Sequence, residues 1–188
     1  RLVGSEMCIR DRRYLYGSLS DLYDSHLLKD ADKGAEIIKE KIETGKKIRI
    51  ISDYDVDGVS SNYILYQGLK RCGADVDYKI PDRVEDGYGI NEHLIEKAAE
   101  DGIDTIITCD NGIAAAEQIA YGNSLGLTLI VTDHHDIPFQ RQEDGSISYN
   151  LPSAAAVINP KQKDCPYPFE NICGAVVAVS YTHLTLPD

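Results

Sequence analysis

No stretch of this 188-residue chain comes near the roughly 18–20 consecutive apolar residues that cross a bilayer, so nothing in it reads as a membrane segment. No segment at its start has the charged, apolar and small-residue order of a secretory signal. There is no Cys-x-x-Cys pair to hold zinc. The five cysteines, Cys8, Cys72, Cys109, Cys165 and Cys173, are odd in number and widely spaced, which argues against a disulfide framework. Reduced thiols in a cytoplasmic protein are the expectation. Positive charge is scarce: 19 Lys and Arg stand against 31 Asp and Glu, a net −12. That balance repels nucleic acid by itself, and it suits a chain that gathers carboxylates around divalent cations. Internal repeats and low-complexity tracts are absent. What is present, 43% hydrophobic and 27% charged residues, is a soluble, globular composition, long enough for one well-buried domain.

The two ends do not read as protein. Glu6–Arg12 can be written GAG ATG TGT ATA AGA GAC AG. The reverse complement, CT GTC TCT TAT ACA CAT CTC, encodes Val179–Leu184, and its leading CT completes an alanine codon for Ala178. Two ends that encode each other's complement are improbable by chance, and both resemble translated transposase sequencing adapters. Residues 1–12 and 179–188 are therefore expected to be foreign, and residues 13–178 to be one truncated domain. The flanks are set aside from fold reasoning.

Between them, strands and helices alternate. "KDADKGAEIIKEKIETGKK" has helical spacing, with Ala35, Ile37, Ile38 and Ile42 on one face and Gly45 as a stop. "KIRIIS" is a short buried strand ending at Asp53, and "GVSSNYILYQGLKRCG" is a helix closed by Gly73. "DVDYKIP" is a strand, and "NEHLIEKAAEDG" a helix capped by Asn91 and Gly102. "DTIITCD", "LTLIVTD" and "SAAAVINP" are further strands, with a helix over "AAAEQIAYGNSLG". "QRQEDGSISYN" is a polar surface loop or hairpin. Apolar strands separated by helices predict an α/β fold, a doubly wound, mainly parallel sheet with helices on both faces.

Ligands of such sheets bind at the carboxyl ends of the strands. Three strand ends here carry metal-ligand residues: "DYDVDG" with Asp53, Asp55 and Asp57, "CDNG" with Asp110, and "TDHHD" with Asp133, His134, His135 and Asp136. Taken singly, each has a plain alternative. Asp57 caps the next helix, Asp110 opens a turn with Asn111 and Gly112, and a His-His pair is solvated. Their coincidence at one edge points to a cation site, because so many carboxylates packed together repel unless protonated or neutralised by metal. If the segment alternates, Asp55 and Asp57 face the same way, while Cys109 faces the core, away from Asp110. Mixed carboxylate and imidazole ligands suit Mn²⁺, with Mg²⁺ where oxygen dominates. A bridging carboxylate would hold two ions about 3.5–4 Å apart, an arrangement that clamps a phosphoryl group for in-line attack by hydroxide.

"DYDVDGVSS", "TCDNGI", "VTDHHDIP" and "AVINPKQKDCPYPFENICGAVVA" resemble, in order and spacing, the first four motifs of the DHH phosphoesterase superfamily, in the version of its single-stranded-DNA exonucleases. "SLSDLYDSHLLKDADKGAEII" and "IPDRVEDGYGINEHLIEK" carry the same resemblance, which covers residues 13–178. It implies 5′→3′ exonuclease action on single-stranded DNA in recombination and repair, with replication or repair proteins as candidate partners; no membrane and a monomer are the further expectations, the oligomeric state being left open by the sequence. It places Asp55, Asp57, Asp110, His134 and His135 at metal-ligand positions of two Mn²⁺ or Mg²⁺ ions, with Asp110 as the bridge. Asp53 and Asp133 would orient those ligands, and Asn111 would contact a metal-associated water or the phosphate. Arg83 would bind substrate phosphate, with a plain surface arginine as the alternative. Ser60 and Ser61 would be hydroxyls near the site or plain caps. His93 and His26 receive no role.

The superfamily has a further metal-binding aspartate and substrate-gripping domains downstream, so the resemblance also implies that this fragment alone is nearly inactive. Two rivals remain. Small-substrate members, acting on oligoribonucleotides, cyclic dinucleotides or pyrophosphate, usually carry a histidine four residues before the first key aspartate, where this chain has Ile51. A non-catalytic scaffold would have lost ligands that are all present here.

Overall fold

In a computed structural model, which describes residues 15–18, 21–83, 87, 89–142 and 144–185, the apolar runs form five strands of one parallel sheet. Residues 1–12, expected to be foreign, lie outside the described residues, as do 186–188. The strands are β1 (Lys47–Ser52), β2 (Asp75–Lys79), β3 (Thr105–Cys109), β4 (Thr128–Thr132) and, beyond a hairpin, β7 (Ala156–Ile158). Their order across the sheet is β2-β1-β3-β4-β7. The polar insert forms the hairpin, β5 (Phe139–Arg141) with β6 (Ile147–Tyr149), paired antiparallel.

Strand alternation divides the core in two. Ile50, Ile107, Ile130 and Ala156 stand in register across four strands. They face three helices: α1 (Ala31–Glu43), α2 (Val56–Arg71) and α5 (Gly174–Thr185). The next row, Ile51, Val131 and Val157, faces the opposite side, against α3 (Glu92–Glu100) and α4 (Ala116–Ser124). Both faces of the sheet are therefore covered, as a run of apolar strand residues requires. Asn91 caps α3 by accepting from the Leu94 N–H at 2.9 Å, and Gly102 follows its end at φ 73°. No helix among the described residues is long and apolar enough to cross a membrane.

One helix starts earlier than its spacing predicts. α2 begins at Val56, not Gly58, because Asp55 caps it: its Oδ1 accepts from the Asp57 and Gly58 N–H groups, each at 2.9 Å. Asp55 and Asp57 therefore lie on a helical turn, not on an alternating extended segment, and the capping aspartate is Asp55.

The chain runs from β1 outward to β2 and then returns to place β3 on the other side of β1. At such a reversal the loops leaving the two central strands diverge and open a crevice. The acidic motifs follow those two strands.

Candidate metal centre

Asp53 leaves the end of β1 and is buried, with its Oδ1 accepting from the Tyr54 N–H at 2.7 Å. The helix start behind it is pressed close. A Cβ on Gly58 would lie 2.4 Å from the Asp53 carbonyl oxygen, which restricts that position to glycine. Asp57, one residue into the first turn of α2, accepts from the Gly174 N–H at 2.7 Å and the Ala175 N–H at 2.8 Å, at the start of α5.

Asp110 follows β3 in the left-handed region, φ 60°, a conformation that aspartate tolerates better than most residues. It is only 2% exposed, and its Oδ1 has no hydrogen-bond partner among the described residues. His134 Nε2 lies 3.0 Å from that oxygen, without hydrogen-bond geometry, and 3.4 Å from Asp57 Oδ2. His135 Nδ1 pairs with Asp133 Oδ1 at 2.7 Å. Asp133, fully buried, also accepts from the N–H groups of Ile113, His134 and His135. It thereby fixes the turn that presents both imidazoles. Asn159 adds a clamp from beyond β7 by donating to the His135 carbonyl at 3.0 Å.

Two donor sets result. Asp53, Asp55 and Asp110 form one, and Asp110, His134 and His135 the other; in each, one donor atom per residue lies within 4.8 Å of the others. Asp110 belongs to both. The crowding shows in its acidity. Burial, followed by Asp57 and Asp55, pushes its carboxyl up to about 8. Burial also raises Asp53. Burial opposes ionisation of Asp133, but the His135 and backbone hydrogen bonds hold its carboxyl below the ordinary range. The bond to Asp133 in turn lifts His135 to about 8. A buried carboxylate oxygen without a donor, set among three other aspartates and two histidines, fits a divalent cation by both geometry and donor type.

The structure thus brings Asp55, Asp57, Asp110, His134 and His135 together, and Asp133 holds the turn that carries both histidines. Three expectations change. Asp53 stands among the donors themselves, not behind them. Asn111 has no N–H to spare for phosphate or water: its amide donates to the Ile51 and Cys109 carbonyls, and its oxygen accepts from the Ile90 N–H. It stitches the ends of β1 and β3 together. Ser60 and Ser61 neither cap nor reach the site, because their hydroxyls donate back to the Val56 and Asp57 carbonyls inside α2. Arg83 is exposed, with its guanidinium 5.3 Å over the ring of Tyr54, the residue between Asp53 and Asp55. It flanks the centre without touching a donor. His93 is exposed on α3, and His26 pairs with Asp32 at 2.6 Å. Cys109 is core, as alternation predicts. Asn159, Gly174 and Ala175 were not legible as site residues; their only signal was membership of the "INP" and "CGAVVA" stretches. A cavity of about 380 Å³ opens beside His135 and Asp136, floored by Asn111 and Ile113.

Comparison with known proteins gives this geometry a context. The single-stranded-DNA-specific exonuclease RecJ of Bacillus subtilis is 39% identical over 177 residues, which take in 94% of this chain and 21% of the relative. A crystal structure of exonuclease RecJ bound to manganese aligns with a TM-score of 0.72 at 32% identity, over 85% of this chain and 39% of that one. RecJ of Thermus thermophilus in complex with Mn²⁺ aligns with a TM-score of 0.66 at 28% identity, over 85% of this chain and 22% of that one. The chain therefore spans about a fifth of the length of the Bacillus relative. The profile of the DHH family, N-terminal domain, matches residues 47–186. Since that match takes in every donor from Asp53 to His135, the chain belongs to the DHH family.

Proposed function

We propose that this chain carries the metal-binding half of a 5′→3′ single-stranded-DNA exonuclease that hydrolyses phosphodiester bonds with two Mn²⁺ or Mg²⁺ ions. The observation that carries the reading is the shared position of Asp110. One buried carboxylate belongs to two donor sets and has an oxygen without a hydrogen bond. Asp53 and Asp55 would hold one ion, His134 and His135 the other, with Asp57 beside His134. The names of the relatives, a DNA exonuclease and manganese-bound structures, support the substrate and the metal.

When bound, such ions neutralise a phosphoryl group and lower the pKa of water. The chain's own residues prepare the ground. Asp133 fixes the ring of His135 through Nδ1. Asn111 holds the ends of β1 and β3 at a fixed separation. Arg83, stacked on Tyr54, supplies a cation at the rim of an otherwise acidic site and is the candidate contact for backbone phosphate. Ile51 is buried within β1, so no histidine supplies a ligand from that position.

Calorimetric titration of Mn²⁺ into the chain, with Asp110→Ala as control, tests the centre. We expect saturable binding that the substitution abolishes; a folded chain that binds nothing would sink the reading. The substrate is tested on the longer protein, by release of mononucleotides from 5′-labelled single-stranded DNA against cyclic dinucleotides. The same reading keeps residues 1–12 and 179–188 as foreign, and resequencing the genomic locus tests that division.

A further inference from the structure

Asp57 is bound to the last helix of the chain, not to its own. Both of its carboxylate oxygens are used: Oδ2 accepts from Gly174 N–H at 2.7 Å and Oδ1 from Ala175 N–H at 2.8 Å. These are the first two residues of α5. The first N–H groups of a helix have no partner within it, and the helix dipole favours negative charge there. The same glycine walls in a second acidic residue. A Cβ at position 174 would lie 3.0 Å from Asp110 Cβ and 3.0 Å from its Oδ1. Between the two carboxylates stands His134 Nε2, 3.4 Å from Asp57 and 3.0 Å from Asp110. α5 itself is anchored in the core through Val177, Ala178 and Tyr181, among residues of α1 and α2. One helix start thus touches acidic groups that follow two different strands, β1 and β3.

We propose that the Gly174–Ala175 turn is a positioning device for the cation site. Its two backbone donors aim Asp57, its missing side chain seats Asp110, and cation binding is thereby coupled to the docking of α5. The proposal rests on the metal reading given above. A carboxylate offers about four lone-pair sites, so two amide bonds leave each oxygen of Asp57 another for the side facing His134. Holding both carboxylates before an ion arrives removes an ordering cost from binding, as outer groups do at metal sites generally. Any side chain at 174 presses on Asp110, whose left-handed backbone gives it little room to yield.

The test is Mn²⁺ titration by calorimetry on the unsubstituted chain, on Gly174→Ala, and on Cys173→Ala as a neighbouring control whose side chain is exposed. The expected result is Mn²⁺ binding at least tenfold weaker in Gly174→Ala and unchanged in Cys173→Ala. Equal affinity in the glycine variant overturns the proposal and leaves the metal centre standing. Absence of Mn²⁺ binding by the unsubstituted chain overturns both. A second measurement needs no variant and decides the matter if Gly174→Ala does not fold. On saturation with diamagnetic Mg²⁺, the backbone amide signals of Gly174 and Ala175 are expected to shift together with those around Asp110. Amides that stay in place while the Asp110 region moves would refute the coupling.

Discussion

Asp110 and His135 titrate abnormally for opposite reasons, and both affect stability in the same direction. Asp110 is raised to about 8 by burial and by its acidic neighbours. In the folded chain it therefore keeps a proton that an unfolded aspartate, at about 3.9, has released. His135, raised to about 8 by its bond to Asp133, adds stability that is complete below about 6.5 and is lost as the pH rises through 8. In both cases the folded state binds more protons, so the metal-free protein should lose stability from about pH 4 to pH 8. Urea denaturation in a chelator measures this. Asp110→Asn should flatten part of the slope and stabilise the chelated protein at pH 8 by on the order of 2 kcal/mol, with no gain at pH 4. An equal slope in the variant would show that Asp110 ionises normally. Metal binding reverses the sign. Both groups must give up protons to serve as ligands, so Mn²⁺ affinity should climb to about pH 8 and then level. Calorimetry at pH 7 in buffers of different ionisation enthalpy should register proton release. The donor types at this scale were legible in "DYDVDG", "CDNG" and "TDHHD". The division of labour was not, because hydrogen bonds decide it: Asn111 is consumed by two carbonyls and an amide, whereas Asp53 makes one short local bond and stays among the donors.

Among the elements, strands read more faithfully than helix starts. β1 occupies Lys47–Ser52, the "KIRIIS" run itself, because Ile48, Ile50 and Ile51 are fully buried and the run lies between Gly45 and the acidic turn that starts at Asp53. α2 was displaced by two residues because its start is set by a side-chain cap and a close approach, neither of which has a periodicity. The approach yields a sharp expectation. Gly58→Ala would put a methyl 2.4 Å from the Asp53 carbonyl oxygen, a backbone atom that cannot rotate away. Ordinarily Gly→Ala within a helix stabilises by up to about 1 kcal/mol. Here the change should destabilise by about 1–3 kcal/mol, as overpacking does, and weaken Mn²⁺ binding by displacing Asp53. Thermal unfolding with and without Mn²⁺ separates the two effects. A variant as stable as the parent would show that the β1–α2 turn has slack that the geometry denies. Ser60 and Ser61 follow the same logic in reverse: near the motif in sequence, they are committed to backbone carbonyls one turn back.

For the whole molecule, the centre depends on layers that the acidic motifs do not contain. Three strand ends supply the donors, but α5 closes the site from the far end of the chain, across the core that it shares with α1 and α2. Parallel strands and alternating helices made the sheet and the helices α1 to α4 legible; α5 was not read as a helix, and no local pattern tells that its first turn meets Asp57, a contact across 117 residues. A reading that sets residues 179–188 aside also gives Tyr181 no place, yet this side chain is fully buried, against Gly34 and Ile158. Its hydroxyl has no hydrogen-bond partner among the described residues, and burial pushes its pKa up. The ring contributes packing while the hydroxyl carries a desolvation cost of about 1–3 kcal/mol. Two substitutions separate these contributions. Tyr181→Phe keeps the ring and removes the unpaired hydroxyl, and should raise stability by roughly 1 kcal/mol. Tyr181→Ala empties the space between α1, α5 and β7 and should cost about 3–5 kcal/mol. Because α5 positions Asp57, the alanine variant should also bind Mn²⁺ more weakly than the phenylalanine variant. Chemical denaturation and calorimetry on the pair check both statements. A phenylalanine variant less stable than the parent would mean that the hydroxyl has a partner in solution; an alanine variant with unchanged stability would mean that α5 does not dock through this residue.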